Sequence, residues 1–115
     1  MNARTLDPKR LTLCREKLGI TKQEAAKRMH LSQPAYLRYE AGERIPSMPV
    51  IMVMADVLAT SPAYLTKETD DPSPNCFYVR AENEPELFQL IKSYRTTDVR
   101  TKERLLAYVS KFIEL

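Results

Sequence analysis

Glycine and histidine are scarce in this sequence, which has only Gly19, Gly42 and a single histidine, His30. Two isolated glycines cannot build the glycine-rich loops that cradle nucleotide phosphates. One histidine provides no His-based catalytic set, and the acidic residues are scattered, so the sequence does not predict an enzyme. No alternating apolar pattern persists long enough to indicate a sheet, which favours an all-α fold.

Cysteine is also rare, since Cys14 and Cys76 are far apart and neither belongs to a CxxC pair. A zinc site needs about four ligands, so a Cys/His zinc site is excluded and we expect no metal or other cofactor. The longest apolar run, residues 50–55, is far too short to cross a membrane. With no signal peptide, we expect a cytoplasmic protein with free thiols, and a single disulfide is the alternative.

Positive charge is concentrated in the first part of the chain. Residues 1–68 contain eleven Lys and Arg against seven Asp and Glu, whereas residues 69–115 contain seven against eight. A basic N-terminal half is typical of a chain that binds nucleic-acid phosphates with that half. Such an excess is common over 68 residues, so charge alone adds little to the argument.

Helix start and stop signals recur along the first two-thirds of the chain. Asp7 precedes Pro8 and Gly19 follows Leu18, as expected at the two ends of a helix. Thr21, Ser32, Ser47 and Ser61 are further candidate caps, and Glu24 would complete a capping box with Thr21. We predict helices over 8–18, 21–29, 33–41 and 47–58, and a short fifth helix after Ser61.

The remaining chain changes character after residue 67. Residues 68–83 have the composition of a linker, with a short extended candidate at 77–80. Apolar residues then recur at helical spacing, which predicts helices over 84–94 and 98–114. We therefore divide the chain into a domain at 1–67, a linker at 68–83 and a two-helix region at 84–115.

The second and third predicted helices, between Thr21 and Gly42, form a helix-turn-helix plan in which the later helix begins at a capped, polar end. Three stretches occur in order and at the spacing of one known family: T-K-Q-E-A-A from Thr21, L-S-Q to Y-E-A-G across 31–42, and R-I-P-S from Arg44. The segment 11–65 resembles the phage Cro/repressor, or XRE, family. The resemblance implies a five-helix lambda-repressor-like DNA-binding domain, followed here by a C-terminal helical extension.

The resemblance also implies which residues meet double-stranded DNA. In the third helix the base-facing positions are those of Gln33, Pro34, Ala35 and Arg38. A glutamine amide can pair with adenine, and an arginine with guanine or phosphate, whereas Pro34 offers only apolar contact or shape. The positions implied to contact the DNA backbone are those of Thr21, Lys22, Ser32 and Arg44.

Three structural roles follow from the same resemblance. Tyr36 and Tyr39 are expected to lie in the core, and Glu40 to pair with a basic residue of the first helix, Arg15. The family usually has glycine at the turn where this chain has His30, because the backbone there is left-handed. A histidine can adopt that conformation at a cost of about 1 kcal/mol.

The two C-terminal helices have apolar stripes and no evident core of their own. We expect them to help a homodimer form, through Leu105, Val109, Phe112 and Ile113. A dimer would bind two half-sites about 34–36 Å apart and combine their binding energies. The alternative is that both helices fold back on the fourth or fifth helix of the same chain.

These observations predict a bacterial or phage-encoded regulator, associated with the nucleoid when bound to DNA. The leading hypothesis is a sequence-specific transcription regulator, a repressor that acts as a homodimer with its third helix in the major groove. A second hypothesis is an antitoxin-type protein that neutralises a protein partner through its C-terminal helices. A third is an interaction domain that no longer binds DNA.

Overall fold

The computed structural model describes residues 5–113, which form helices and no strand. The all-α prediction is therefore confirmed. The helices are α1 (Pro8–Leu18), α2 (Lys22–Arg28), α3 (Gln33–Ala41), α4 (Met48–Val57), α5 (Pro62–Leu65), α6 (Pro85–Thr96) and α7 (Val99–Val109).

Side-chain caps fix the starts of most of these helices. The side chains of Asp7, Thr21, Ser32 and Ser61 each accept a hydrogen bond from a backbone N–H in the first turn of the helix that follows. α1 and α3 end at Gly19 and Gly42, whose φ angles of 71° and 77° are left-handed. These signals are local in the sequence, which is why the bounds of α1 and α3 match the predicted ones.

Three predicted features differ from the structure. Residues 77–80 are irregular chain instead of an extended strand. α7 ends at Val109 and is followed by turns at 110–112, so the helix is shorter than the predicted 98–114, whose last residue lies outside the described residues. Leu18 follows Leu11 and Cys14 at helical spacing, which predicts that all three face inward, but Leu18 is 42% exposed.

One apolar core lies inside the first five helices. The composition of α4, in which Asp56 is the only charged residue, predicts a helix buried on most sides, but Met52 is 39% exposed. The opposite side of α4 is fully covered, and Tyr36 of α3 packs into the same core. The buried members of this core are Leu6, Leu11, Cys14, Ala25, Ala26, Met29, Tyr36, Tyr39, Ile51, Met54, Ala55, Leu58 and Leu65.

The chain just after α5 is attached to α1 by one arginine. Arg10 donates hydrogen bonds from Nη1 to the carbonyl oxygens of Tyr64 (2.8 Å) and Thr69 (2.5 Å), and from Nη2 to Asp70 Oδ1 (2.7 Å). Its guanidinium also lies 4.3 Å from the centre of the Tyr64 ring. Part of the segment that composition identified as linker is therefore bound to the helical domain.

The chain divides into two compact units, Met1–Tyr78 and Val79–Leu115. The second unit contains α6 and α7, joined at Thr97 and Asp98, and neither helix has a fully buried residue. Lys102 of α7 lies over the ring of Tyr94 of α6, 5.5 Å from its centre. Within residues 5–113, no helix is long and apolar enough to cross a membrane.

Candidate nucleic-acid interface

α2 and α3 are joined by the four residues 29–32, and the backbone of this turn donates hydrogen bonds to the last turn of α2. The Leu31 N–H donates to the Ala26 carbonyl (2.9 Å), and the His30 N–H donates to that of Lys27 (3.1 Å). His30 has φ 58°, as the family resemblance implied for this position. The turn closes α2, and α3 starts at Gln33, three residues after His30.

The start of α2 departs in one detail from the expected capping box. Thr21 Oγ1 accepts from the Glu24 N–H at 3.0 Å, which is the first half of such a box. The Glu24 carboxylate, however, accepts from Arg28 Nε at 2.7 Å, one helical turn later on the exposed surface. α2 is therefore stabilised by one cap and one i,i+4 ion pair.

α3 has a buried side and an exposed side. Tyr36 and Tyr39 are buried and fix α3 to the core. At about 100° per residue, the opposite side carries Gln33, Pro34 and Arg38, and all three are exposed. The structure thus brings three of the four predicted base-facing residues onto one solvent-facing arc.

Ala35, the fourth predicted base-facing residue, is half-buried and packs against the core. Sequence reasoning also missed a residue of the exposed arc. Leu37 is 39% exposed and lies one turn beyond Gln33, beside Pro34. The signal that identifies it is the position of the two core tyrosines, since Leu37 lies within the arc opposite to both of them, about 50° from the centre of that arc.

The predicted backbone-contacting residues lie at helix starts and in the loop after α3. The hydroxyl oxygens of Thr21 and Ser32 cap α2 and α3, and both residues are exposed. A capping hydroxyl accepts with its oxygen, so it can still donate its hydrogen to a phosphate. Lys22 is exposed in the first turn of α2, and the exposed Arg44 lies over the Tyr39 ring, 5.6 Å from its centre.

A buried ion pair connects α1 to α3. Arg15 Nε and Nη2 donate to the two oxygens of Glu40 at 2.9 and 3.2 Å, and Arg15 Nη1 donates to the Ile20 carbonyl at 2.8 Å. Burial acts to raise the pKa of Glu40, but the hydrogen bonds and charge of Arg15 outweigh it, so this pKa is lowered. The pair predicted from the resemblance therefore holds the C-terminal half of α3 in place.

Comparison with known proteins agrees with this geometry. The helix-turn-helix family model matches residues 11–65. The chain is 31% identical over 91 residues to the HTH-type transcriptional regulator YqaE of Bacillus subtilis (strain 168), an alignment covering 76% of this chain and 77% of that protein. That alignment is longer than residues 1–65, so the similarity extends past α5. No solved structure matches the chain. The chain belongs to the XRE-type helix-turn-helix family of DNA-binding transcription regulators.

Proposed function

We propose that this protein is a sequence-specific repressor that binds double-stranded DNA as a homodimer, with α3 of each copy in the major groove. The observation that carries the proposal is the exposed arc of α3, which presents Gln33 at one edge and Arg38 at the other. The amide of Gln33 matches the donor and acceptor of an adenine edge, and the guanidinium of Arg38 matches guanine. The two buried tyrosines on the other side hold the helix rigidly behind this arc.

Groups suited to phosphate surround the same arc. Thr21 and Lys22 are at the start of α2, Ser32 is at the start of α3, and Arg44 follows its end. Contacts from such groups position a protein on the duplex and do not themselves distinguish sequences. In this proposal, α2 and the loop after α3 hold α3 in the groove while Gln33 and Arg38 select the bases.

Binding-site selection from random duplexes, followed by titration of the selected site, tests the DNA-binding part. Arg38→Ala is expected to lose about 1–3 kcal/mol at its cognate site and to relax one base position. Lys22→Ala is expected to weaken binding to all DNA sequences about equally. It should also lower the slope of log affinity against log salt concentration by about 1. Lys17→Ala is the matched control, because Lys17 lines a cavity with Thr60 and Pro74 and lies on the side of α1 opposite Arg15. Equal affinity of all three variants and the wild type would contradict the proposal.

The homodimer part rests on the second unit. Neither of its helices buries a residue fully, and Leu105 and Val109 are only half-buried. Phe112 and Ile113, which follow α7, are 72% and 52% exposed, and the Phe112 ring lies edge-on to Tyr108 at 5.2 Å. Apolar side chains at this spacing gain stability when another helical surface covers them.

Charge in the second unit is unevenly distributed along the chain, which favours a second copy as the partner. Glu84 and Glu86 lie at the start of α6, whereas α7 contains Arg100, Lys102 and Arg104 against one acidic residue, Glu103. In a two-fold dimer the same surface of each copy meets that of the other. Two copies in opposite directions bring the acidic segment of each towards the basic segment of its partner.

Sedimentation equilibrium at micromolar concentration tests the dimer, with a mass of two chains expected. Leu106→Glu is expected to shift the protein towards one chain, since Leu106 is 48% exposed in α7. Glu103→Ala is the control for a change of the α7 surface, because the exposed Glu103 lies on the side of α7 opposite Leu105. A wild-type mass of one chain would overturn the homodimer, and a one-to-one complex with a different protein would support the antitoxin-type hypothesis instead.

The repressor part is tested with a reporter gene whose promoter overlaps the selected site. Bound protein there excludes RNA polymerase, so expression is expected to fall when the wild-type protein is present. Arg38→Ala is expected to restore expression and Lys17→Ala to leave it repressed. Higher expression with the wild-type protein than without it would contradict repression but would not contradict DNA binding.

A further inference from the structure

The centre of the exposed arc of α3 is apolar. Pro34, Leu37 and Ala41 occur at i, i+3 and i+7, so they form one ridge along the helix, and all three are exposed. Gln33 lies on one side of this ridge and Arg38 on the other. Leu37 is the most bulky member, and 39% of its surface is open to solvent.

This ridge stands where a DNA-binding helix usually carries hydrogen-bonding side chains. None of the three side chains can donate or accept a hydrogen bond, so they cannot pair with the nitrogen and oxygen atoms of base edges. The major groove contains one apolar group on unmodified bases, the C5-methyl group of thymine. Contact with that methyl removes apolar surface from water on both partners.

We propose that Pro34, Leu37 and Ala41 form a methyl-contacting ridge that selects thymine in the half-site, with Leu37 as its main determinant. The inference rests on the proposed function, because it takes α3 to lie in the major groove. The ridge is about 10 Å long at 1.5 Å per residue. That length spans two or three neighbouring base pairs at about 3.4 Å each.

The flanking residues argue for DNA as the occupant of this ridge. Polar residues also surround the apolar centre of protein interfaces, but here one neighbour is an amide and the other a guanidinium, and both match the hydrogen-bonding groups of base edges. Gln33 suits adenine, and thymine is the partner of adenine in the duplex. Gln33 and the methyl-contacting ridge therefore favour the same A·T base pairs, and Arg38 marks a G·C pair beside them.

Replacement of thymine by deoxyuridine is the sharpest test, because it removes the methyl group and leaves the hydrogen-bonding edge unchanged. Each thymine of the selected half-site is replaced in turn, and the affinity of the full chain is measured by fluorescence anisotropy. We expect at least one replacement to weaken binding about fourfold, as the loss of one buried methyl predicts. Replacement of cytosine by 5-methylcytosine at positions outside the half-site should have no effect.

Leu37→Ala identifies the residue responsible. This variant is expected to bind thymine and deoxyuridine sites equally at the sensitive position, while keeping its salt-dependent DNA binding and its melting temperature. Leu18→Ala is the matched control, since Leu18 is 42% exposed in α1 and lines a cavity with Thr60 and Pro74. Leu18→Ala should keep the full preference for thymine.

The outcomes separate this inference from the function on which it rests. Sequence-specific binding that no deoxyuridine replacement changes, or a selected half-site without A·T pairs, overturns the methyl-contacting ridge and leaves the DNA-binding function intact. A thymine preference that persists undiminished in Leu37→Ala overturns the role of Leu37. A chain that binds no DNA sequence specifically overturns both, and capture of the Leu37 surface by a protein partner would then account for the ridge.

Discussion

Arg15 of α1 and Glu40 of α3 form a bidentate ion pair that is nearly sealed from solvent, with their side chains 12% and 4% exposed. Glu40 is two residues beyond Arg38 on the same helix, so the pair fixes the end of α3 opposite its capped start. Two paired charges in such a place hold the two helices in one register, because any other register leaves both charges unpaired and buried.

Breaking this pair should be costly. Arg15→Met leaves the Glu40 carboxylate buried without its cation, and we expect a loss of about 3 kcal/mol in the free energy of unfolding. The double variant Arg15→Met with Glu40→Leu removes both charges, so its loss should be smaller than the sum of the single losses. Urea denaturation of the four proteins measures this coupling, and additive losses would contradict the structure.

Glu40 should also give the protein an acid limit to its stability. Its folded-state pKa lies below the ordinary value, so the ionised form is favoured by folding. The resulting stabilisation is complete above the unfolded-state pKa of about 4.3 and disappears as the pH falls through the lower folded-state pKa. Melting temperatures recorded from pH 7 to pH 2.5 should decline in this range, and Glu40→Gln should flatten the decline.

Glu24→Gln is the control for that pH profile. The Arg28 hydrogen bond also lowers the pKa of Glu24, but this pair is on the surface, where solvent screens it. The variant should therefore keep nearly the whole acid decline of the wild type. If Glu24→Gln flattened the profile as much as Glu40→Gln does, the buried pair would not be its cause.

Replacement of Tyr36, unlike replacement of Arg15, should not destabilise the protein. Its hydroxyl is buried beside the Glu40 carboxylate, and among residues 5–113 it makes no hydrogen bond of full geometry. Burial is the main cause that raises the pKa of this hydroxyl, and the neighbouring Glu40 carboxylate is the second cause. The hydroxyl therefore stays neutral. Tyr36→Phe removes an unsatisfied buried group, and we expect stability to stay within about 0.5 kcal/mol of the wild type or to rise by about 1 kcal/mol. A loss of 2 kcal/mol or more in urea denaturation would show that the hydroxyl has a partner.

His30 should be replaceable by glycine without loss. Its φ of 58° costs a non-glycine residue about 1 kcal/mol, and the greater freedom of glycine in the unfolded chain cancels roughly half of that gain. His30→Gly should therefore stabilise the protein by about 0.5 kcal/mol, whereas the β-branched His30→Val should destabilise it by about 1–2 kcal/mol. Thermal unfolding should show stability decreasing in the order glycine, histidine, valine at position 30. A valine variant as stable as the wild type would contradict the left-handed backbone at this turn.

The parts of the fold that sequence determined well are those encoded locally. Asp7, Ser32 and Gly42 act through hydrogen bonds or backbone conformation within a few residues, so the limits of α1 and α3 follow from them. The Arg15–Glu40 pair joins residues that are distant in the chain, and only the family resemblance predicted it. The end of α7 had no comparable glycine signal, so it was placed five residues late.

The candidate site was harder to predict at its centre than at its edges. Gln33 and Arg38 are polar, and their place on α3 was evident from the resemblance. Leu37 was not among the predicted site residues, because an apolar side chain in a helix is usually buried. Leu37 is exposed because Tyr36 and Tyr39 define the buried side of α3. Which side of α3 these two tyrosines define becomes evident only once the helices are packed. Ala35 was predicted to be base-facing, and its packing against the core likewise becomes evident only in the folded structure.

A chain ending at Tyr78 tests whether the two units have separate tasks. All residues of the apolar core belong to the first unit, so the shortened chain should unfold cooperatively at nearly the wild-type temperature. On a duplex with a single half-site it should bind as tightly as one unit of the full chain. On a duplex with both half-sites it should bind about 100-fold or more weakly than the full chain, because the two domains are no longer linked in a dimer. The control is Leu106→Glu in the full chain, which should show the same loss, and retention of tight two-site binding by the shortened chain would place the dimer contacts in the first unit.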